Sequence, residues 1–219
     1  SFVLNTRPSV IYVSGRMDAK YLYVAKHLKK NVPVVSGMDT QWDASLRKYA
    51  ACALSRFLFH RYFTHIWIPG CYQYEYARRL GYKRDRIISD LYSCNTELFH
   101  SYYRESKAMK ELSFPHSFLF VGRLDNVKYV AELCSSFLSL KTDSIAKDWK
   151  LHIVGDGPLR ESIPLHDDIC LHPFMDHNTL GNLIKKTGVF CLPSRIEPWG
   201  VVAHEFSAAG MPLLLSDSV

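Results

Sequence analysis

At 219 residues, 47% hydrophobic and 22% charged, the chain has globular composition and room for one large domain or two small ones, which excludes a disordered or collagen-like chain. No run of 18 apolar residues occurs, so no helical membrane span is expected. The net charge of +6 divides unevenly: residues 1–110 hold 18 Lys and Arg against 8 Asp and Glu, a net of +10, whereas residues 111–219 hold 9 against 13, a net of −4. A uniformly basic nucleic-acid-binding chain does not divide this way, so two halves with different partners and no nucleic acid are expected.

Short apolar runs alternate with amphipathic stretches along the chain. Strands are expected at 9–14, 32–36, 66–69 and 86–92, with helices at 19–30, 44–62 and 72–80, the last stopped by Gly81. Residues 100–116 are polar, run into Pro115 and read as a connector. The alternation then resumes, with strands at 118–121, 151–154, 169–171, 189–192 and 213–215, and helices at 127–140, 158–163, 178–186 and 198–209. Such alternation means βαβ units and parallel sheets. The expected fold class is α/β, with two Rossmann-like parallel-sheet domains: 1–105, a connector over 106–116, and 117–219. Ligand crevices belong at the carboxyl ends of the strands. Both ends read as incomplete, since no glycine-rich turn of a first βαβ unit precedes residue 1 and the chain stops after a strand at Val219. Cys52, Cys71, Cys94, Cys134, Cys170 and Cys191 show no C-x2-4-C spacing, so no structural zinc site is expected. With no signal peptide at Ser1, a reducing cytoplasm is the expected compartment.

The densest chemical signal is Pro193-Ser194-Arg195-Ile196-Glu197-Pro198-Trp199-Gly200-Val201-Val202-Ala203-His204-Glu205, closed by Gly210-Met211-Pro212. Pro198 suits the first turn of a helix, where its missing N–H has no partner to lose. The backbone N–H groups of Trp199, Gly200 and Val201 would then point out of a helix N-terminus at a strand end, which is an anion site. Glu205 returns to the same face about 10 Å deeper, so Glu197 and Glu205 can bracket a long ligand such as a nucleotide sugar. Gly122-Arg123-Leu124, with Lys128 five residues after Arg123, also leaves a strand end. Two cations there could hold a diphosphate, Arg123 bidentately and Lys128 as a point charge. Val154-Gly155-Asp156-Gly157-Pro158 reads as a strand, a glycine turn and a helix start.

Taken together, Gly-Arg-Leu-x3-Lys, Val-Gly-Asp-Gly-Pro and Pro-Ser-x2-Glu-Pro-Trp-Gly-x4-Glu closely resemble the retaining glycosyltransferases of family four, the glycosyltransferases group 1, which have the GT-B fold. The match covers about 118–216, and 66–99 resembles the end of that family's N-terminal domain. The resemblance implies retaining transfer of a hexosyl group from a nucleotide diphosphate sugar to an acceptor hydroxyl, with neither metal nor cofactor, in bacterial polysaccharide or glycolipid synthesis. It implies that Arg123 and Lys128, beside Gly122 and Gly155, hold the diphosphate. Glu197 takes donor-sugar hydroxyls with the amides of Trp199, Gly200 and Val201. Glu205 takes the ribose hydroxyls, and Phe174 and Met175 border the base. The chain departs from the family in Tyr129, where Gly usually follows the lysine, and in Ser93-Cys94-Asn95 for Gly-Val-Asp. At the place of the family's N-domain histidine stands Gly37-Met38-Asp39-Thr40, so Asp39 is the catalytic candidate there, while His60 and His65 read as structural.

Residues 45–66 place Arg47, Lys48, Arg56 and Arg61 among Leu, Phe and Tyr, a basic amphipathic surface suited to anionic headgroups. The saccharide or lipid-linked acceptor that the resemblance implies would give this half a reason to be basic, and attachment at the inner face of the membrane is then expected. The rival readings are a hydrolase using Glu197 and Glu205, a nucleotide-sugar epimerase of GT-B fold, and a degenerate nucleotide-binding module. Two carboxylates eight residues apart on one helix would lie about 12 Å apart. That is beyond the ~5–9.5 Å of a glycosidase pair.

Overall fold

The computed structural model describes residues 2–143 and 145–219; Ser1, where the sequence opens, and Ser144 lie outside them. The chain forms two compact units that divide between Tyr92 and Ser93. After α1 (Phe2–Asn5), the first unit runs β1 (Ile11–Val13), α2 (Ala19–Leu28), β2 (Val34–Gly37), α3 (Leu46–Ala53), α4 (Ser55–Leu58), β3 (His65–Trp67), α5 (Cys71–Arg79) and β4 (Ile87–Ile88). The strands pair in parallel in the order β1-β2-β3-β4, each crossover stepping one place along the sheet. Asp18 starts α2 by accepting from the N–H groups of Lys20 and Tyr21. Val34, Phe63, Ile66, Ile68 and Leu80 fill a core closed to water. The single helix expected over 44–62 is two, because Leu54 (φ −95°, ψ 9°) leaves the helical region between α3 and α4.

The second unit opens with α6 (Thr96–Leu112), so the stretch expected as a connector is largely helix and the unit boundary lies upstream of it. Its charged composition is that of an amphipathic helix: Phe99, Tyr102 and Ser106, at helical spacing, are buried, while the polar residues face water. Asn95 caps it by accepting from the Leu98 N–H at 3.1 Å. The elements β5 (Ser117–Val121), α7 (Val130–Thr142), β6 (Lys150–Val154), β7 (Ile169–His172), α8 (His177–Ile184), β8 (Val189–Leu192), α9 (Val201–Ala208) and β9 (Leu213–Leu215) follow. Tyr102 docks α6 on α8, donating from its hydroxyl to the His177 carbonyl at 2.9 Å. Its ring lies 2.5 Å from where a side chain on Gly181 would begin, which is why α8 carries glycine there. The Phe190 and Phe206 rings stack at 3.9 Å and join α9 to the sheet.

Three expected helices change for identifiable reasons. The segment after β5 is a 3-10 turn, Asn126–Lys128, and α7 starts only at Val130 because Tyr129 adopts φ 53°. Only the 3-10 turn Arg160–Ser162 forms within 158–163. Helix α9 begins at Val201, not Pro198, because Gly200 stands before it at φ 70°.

The second sheet is parallel throughout, in the order β7-β6-β5-β8-β9. From β5 the chain moves outward on one side to β6 and β7, then returns to the other side of β5 for β8 and β9. The order therefore reverses between β5 and β8, and the connections from those two strands run to opposite ends of the sheet. Such a switch point is where an open parallel sheet forms its ligand crevice.

Candidate functional site

Four loops meet at the carboxyl ends of the second sheet. The β5 and β6 loops are stitched by backbone hydrogen bonds: Gly122 N–H donates to Val154 O at 3.0 Å and Leu124 N–H to Asp156 O at 2.8 Å. A Cβ on Gly155 would lie 1.9 Å from the Gly122 oxygen, and one on Gly157 2.4 Å from the Leu124 oxygen. Both glycines also sit at positive φ, so this stretch of chain is fixed by backbone approach that no other residue permits. Arg160 donates to the carbonyls of Gly155 (2.8 Å) and His172 (3.2 Å), tying the ends of β6 and β7 together.

Asp125 accepts from the N–H groups of Val127 and Lys128, both at 3.2 Å, and so sets the turn that aims Lys128. The Lys128 ammonium pairs with Glu197 Oε2, and the Ser194 hydroxyl donates to the same oxygen at 3.1 Å. The pair is largely out of water, the side chains being 18% and 8% exposed. Arg195 N–H donates to Val127 O at 2.8 Å, so the β8 loop is held against the β5 turn by backbone as well as by charge. Arg123 is unlike Lys128: its side chain is 72% exposed, with Asp125 as a neighbour at 3.5 Å. It is a solvated cation at the rim.

Beyond Glu197, a side chain on Gly200 would meet Glu197 Cγ at 3.3 Å, so glycine lets the loop fold back on itself. Helix α9 then presents the N–H groups of Val201 and Val202, which have no intrahelical acceptor at a helix start. Trp199 lies ahead of the helix instead of in its first turn; its ring stands edge-on to His204 at 5.7 Å. Among the described residues its buried indole N–H has no hydrogen-bond partner. Glu205, one turn into α9, is half-buried and makes no side-chain hydrogen bond or ion pair among the described residues. Burial pushes its carboxyl above the usual value of 4.5, with His177 opposing. In the β7 loop Phe174 is 81% exposed, and Met175 packs partly on the core.

The structure thus brings Gly122, Lys128, Glu197 and Gly200 into one constellation, with Gly155 bracing its floor, and leaves Arg123 and Phe174 at the rim. Ser194 and Arg160 are additions. Ser194 stood inside the quoted motif without a role, three residues before Glu197, and a small hydroxyl beside a carboxylate was the available signal. In the first unit, Asp39 follows β2 at its carboxyl end and is exposed. The Tyr92 hydroxyl donates to Asp39 Oδ2 at 3.2 Å, and Gln73 donates to the Asp39 backbone oxygen at 3.3 Å. Burial, with Asp39 alongside, pushes the Tyr92 phenol up. His60 bonds to Leu80 O at 2.7 Å and stacks on Tyr82, a structural arrangement. Around α3 and α4, Leu46, Tyr49, Phe57 and the intervening Leu54 are exposed, as are Arg47, Arg56 and, past α4, Arg61. Among the described residues no helix is long and apolar enough to cross a membrane.

Two parallel-sheet units, the second with a basic-acidic centre at its switch point, form the two-domain architecture called GT-B. The family model for glycosyl transferases group 1 matches residues 105–219, more than half the chain, and the chain belongs to that family. It is 33% identical over 108 residues to the uncharacterized glycosyltransferase MJ1607 of Methanocaldococcus jannaschii, covering 45% of this chain and 26% of that protein. The crystal structure of Anabaena Alr3699/HepE in complex with UDP superposes with a TM-score of 0.72 at 13% identity. An α,α-trehalose-phosphate synthase (UDP-forming) from Burkholderia xenovorans, in complex with glucose-6-phosphate, gives 0.73 at 13% identity. In both, 99% of this chain is covered but only 62% of the other, so the chain spans about three fifths of those structures.

The half-buried Glu205 generates a pH prediction. A raised folded-state pKa favours the protonated form on folding, so that stability is present below the unfolded value and is lost as pH rises through the folded one. Glu205→Gln should therefore melt at the same temperature as the parent in acid and above it at neutral pH. A melting-temperature gap that does not open between these conditions contradicts the burial of this carboxylate.

Proposed function

We propose that the whole protein is a retaining hexosyltransferase that moves a sugar from a nucleotide diphosphate to an acceptor hydroxyl. The observation that carries the reading is the buried Lys128–Glu197 pair at the switch point of a family-matched domain. In this reading the diphosphate draws on Lys128, with Arg123 reaching in from the rim and the Val201 and Val202 amides of α9 behind it. These groups oppose charge that grows on the leaving diphosphate as the glycosidic bond breaks, and they do so from fixed positions. Glu197 takes donor-sugar hydroxyls, Glu205 the ribose hydroxyls, and Phe174 and Met175 border the base. Neither metal nor cofactor has a part in it.

On the acceptor side, Asp39 is the catalytic candidate, oriented by Tyr92. The outward Leu, Tyr and Phe of α3 and α4, flanked by arginines, fit an anionic bilayer surface. That supports a saccharide or lipid-linked acceptor in polysaccharide or glycolipid synthesis, with the protein attached at the inner, cytoplasmic face. The complexes of similar structures with UDP and with glucose-6-phosphate support the donor and acceptor classes.

The test is release of nucleotide diphosphate from candidate nucleotide sugars, with and without a lipid-linked acceptor. Acceptor-dependent release is expected; acceptor-independent release points to hydrolysis, and binding without turnover to a degenerate module. Glu205→Ala should weaken donor binding roughly 10–100-fold, the worth of one hydrogen bond to a charged group. Glu197→Ala should instead lower kcat about 100-fold. Unaltered kinetics in both variants sinks the assignment.

The membrane reading predicts sedimentation with anionic vesicles that weakens with salt, since each arginine contributes about 1 kcal/mol near such a surface. Equal binding to neutral and anionic vesicles removes the electrostatic part.

A further inference from the structure

We infer that Ser194 is the positioning residue for Glu197, fixing the carboxylate in the orientation that meets the donor sugar. The inference rests on the reading of Glu197 as the group that takes donor-sugar hydroxyls. Two donors converge on one oxygen: the Lys128 ammonium and the Ser194 hydroxyl both address Glu197 Oε2. They constrain it differently. An ammonium on a four-carbon stem is a point charge that tolerates rotation of the carboxylate about it. A hydroxyl on a one-carbon stem offers a single directed bond, here 3.1 Å long.

Ser194 is itself closely held. It is fully buried two residues after β8, and its carbonyl accepts from the Ser216 hydroxyl, just past β9, at 2.5 Å. The next residue is bound through its N–H to the Val127 carbonyl at 2.8 Å. The hydroxyl is therefore anchored to the ends of β8 and β9 and to the turn that carries Lys128. When a diphosphate competes for the Lys128 charge, Ser194 remains as the donor to Oε2. It keeps the carboxylate in register while the cation shifts its allegiance. Threonine would keep this hydroxyl; alanine would leave the same backbone without it.

The experiment compares Ser194→Ala and Ser194→Thr in the whole protein, with UDP-glucose as donor probe. Ser194→Ala should lower kcat about tenfold or more, the cost of a slightly misplaced reacting group, while UDP affinity stays within about twofold. Ser194→Thr should recover most of the rate. A loss from packing alone would not be rescued by the hydroxyl. In protein carrying 13C-labelled glutamate, the Glu197 carboxyl resonance should move in Ser194→Ala and return in Ser194→Thr, whether or not any donor turns over. An unmoved resonance, an unchanged kcat, or a threonine variant as slow as the alanine one overturns the inference. A parent protein that turns over no nucleotide sugar refutes the transferase reading instead, and the resonance still decides whether Ser194 holds Glu197.

Discussion

The ion pair between Lys128 and Glu197 ties the turn after β5 to the loop after β8. Withdrawing a carboxylate and an ammonium from water costs several kcal/mol per ion unless geometry and further hydrogen bonds offset it. The surrounding structure supplies that offset. Asp125 fixes the turn that aims the lysine, Ser194 fills a second position on the same carboxylate oxygen, and the Arg195–Val127 hydrogen bond holds the two loops in register. None of these groups is expensive alone, but each is needed where it stands. Isolated, the pair would contribute little to stability; its value is that it keeps charge poised at the end of a parallel strand.

The sheet explains why the pair can form there. Neighbouring strands whose connections run to opposite ends of a parallel sheet leave a crevice at their carboxyl ends. Residues 122–128 and 193–200 leave β5 and β8 at that point and are drawn together by the pair and by the Arg195–Val127 hydrogen bond. The glycines serve this geometry in two ways. Gly155 and Gly157 let the β6 loop lie against the β5 loop at distances no side chain allows, and Gly200 turns the chain so that α9 starts late and points its first amides outward. Tyr129 shows the cost of departing from this logic: a bulky residue sits at φ 53°, where glycine is the unstrained choice.

Strand positions in the second unit were legible because a parallel strand buried on both faces reads as a plain apolar run, as in Phe118–Val121 and Val189–Leu192. Helix starts were less so. Pro198 looked like a first-turn residue, yet the left-handed Gly200 two places later decides the boundary, and no local periodicity encodes that. The polar stretch 100–116 concealed α6, because a surface helix with one buried stripe carries few apolar residues and its partners on α8 and α9 are distant in sequence. Glu197 and Lys128 were recognisable as chemistry from their motifs. Their mutual pairing was not, since 69 residues separate them and only the β5–β8 switch point brings them together. The charge division also gained meaning: the basic half spreads arginines beside outward-facing apolar residues of α3 and α4, whereas the acidic half buries its key cation against a carboxylate.

In the proposed function Lys128 and Glu197 act on the donor as a coupled pair. A double-mutant cycle of Lys128→Met and Glu197→Gln, read as UDP-glucose affinity by calorimetry, addresses it directly. Lys128→Met alone leaves a buried carboxylate facing the diphosphate and should lose about 100-fold, within the 2–5 kcal/mol typical of breaking one half of a buried pair. The double variant, with that carboxylate neutralised, should bind more tightly than Lys128→Met alone. Losses that simply add would contradict the account.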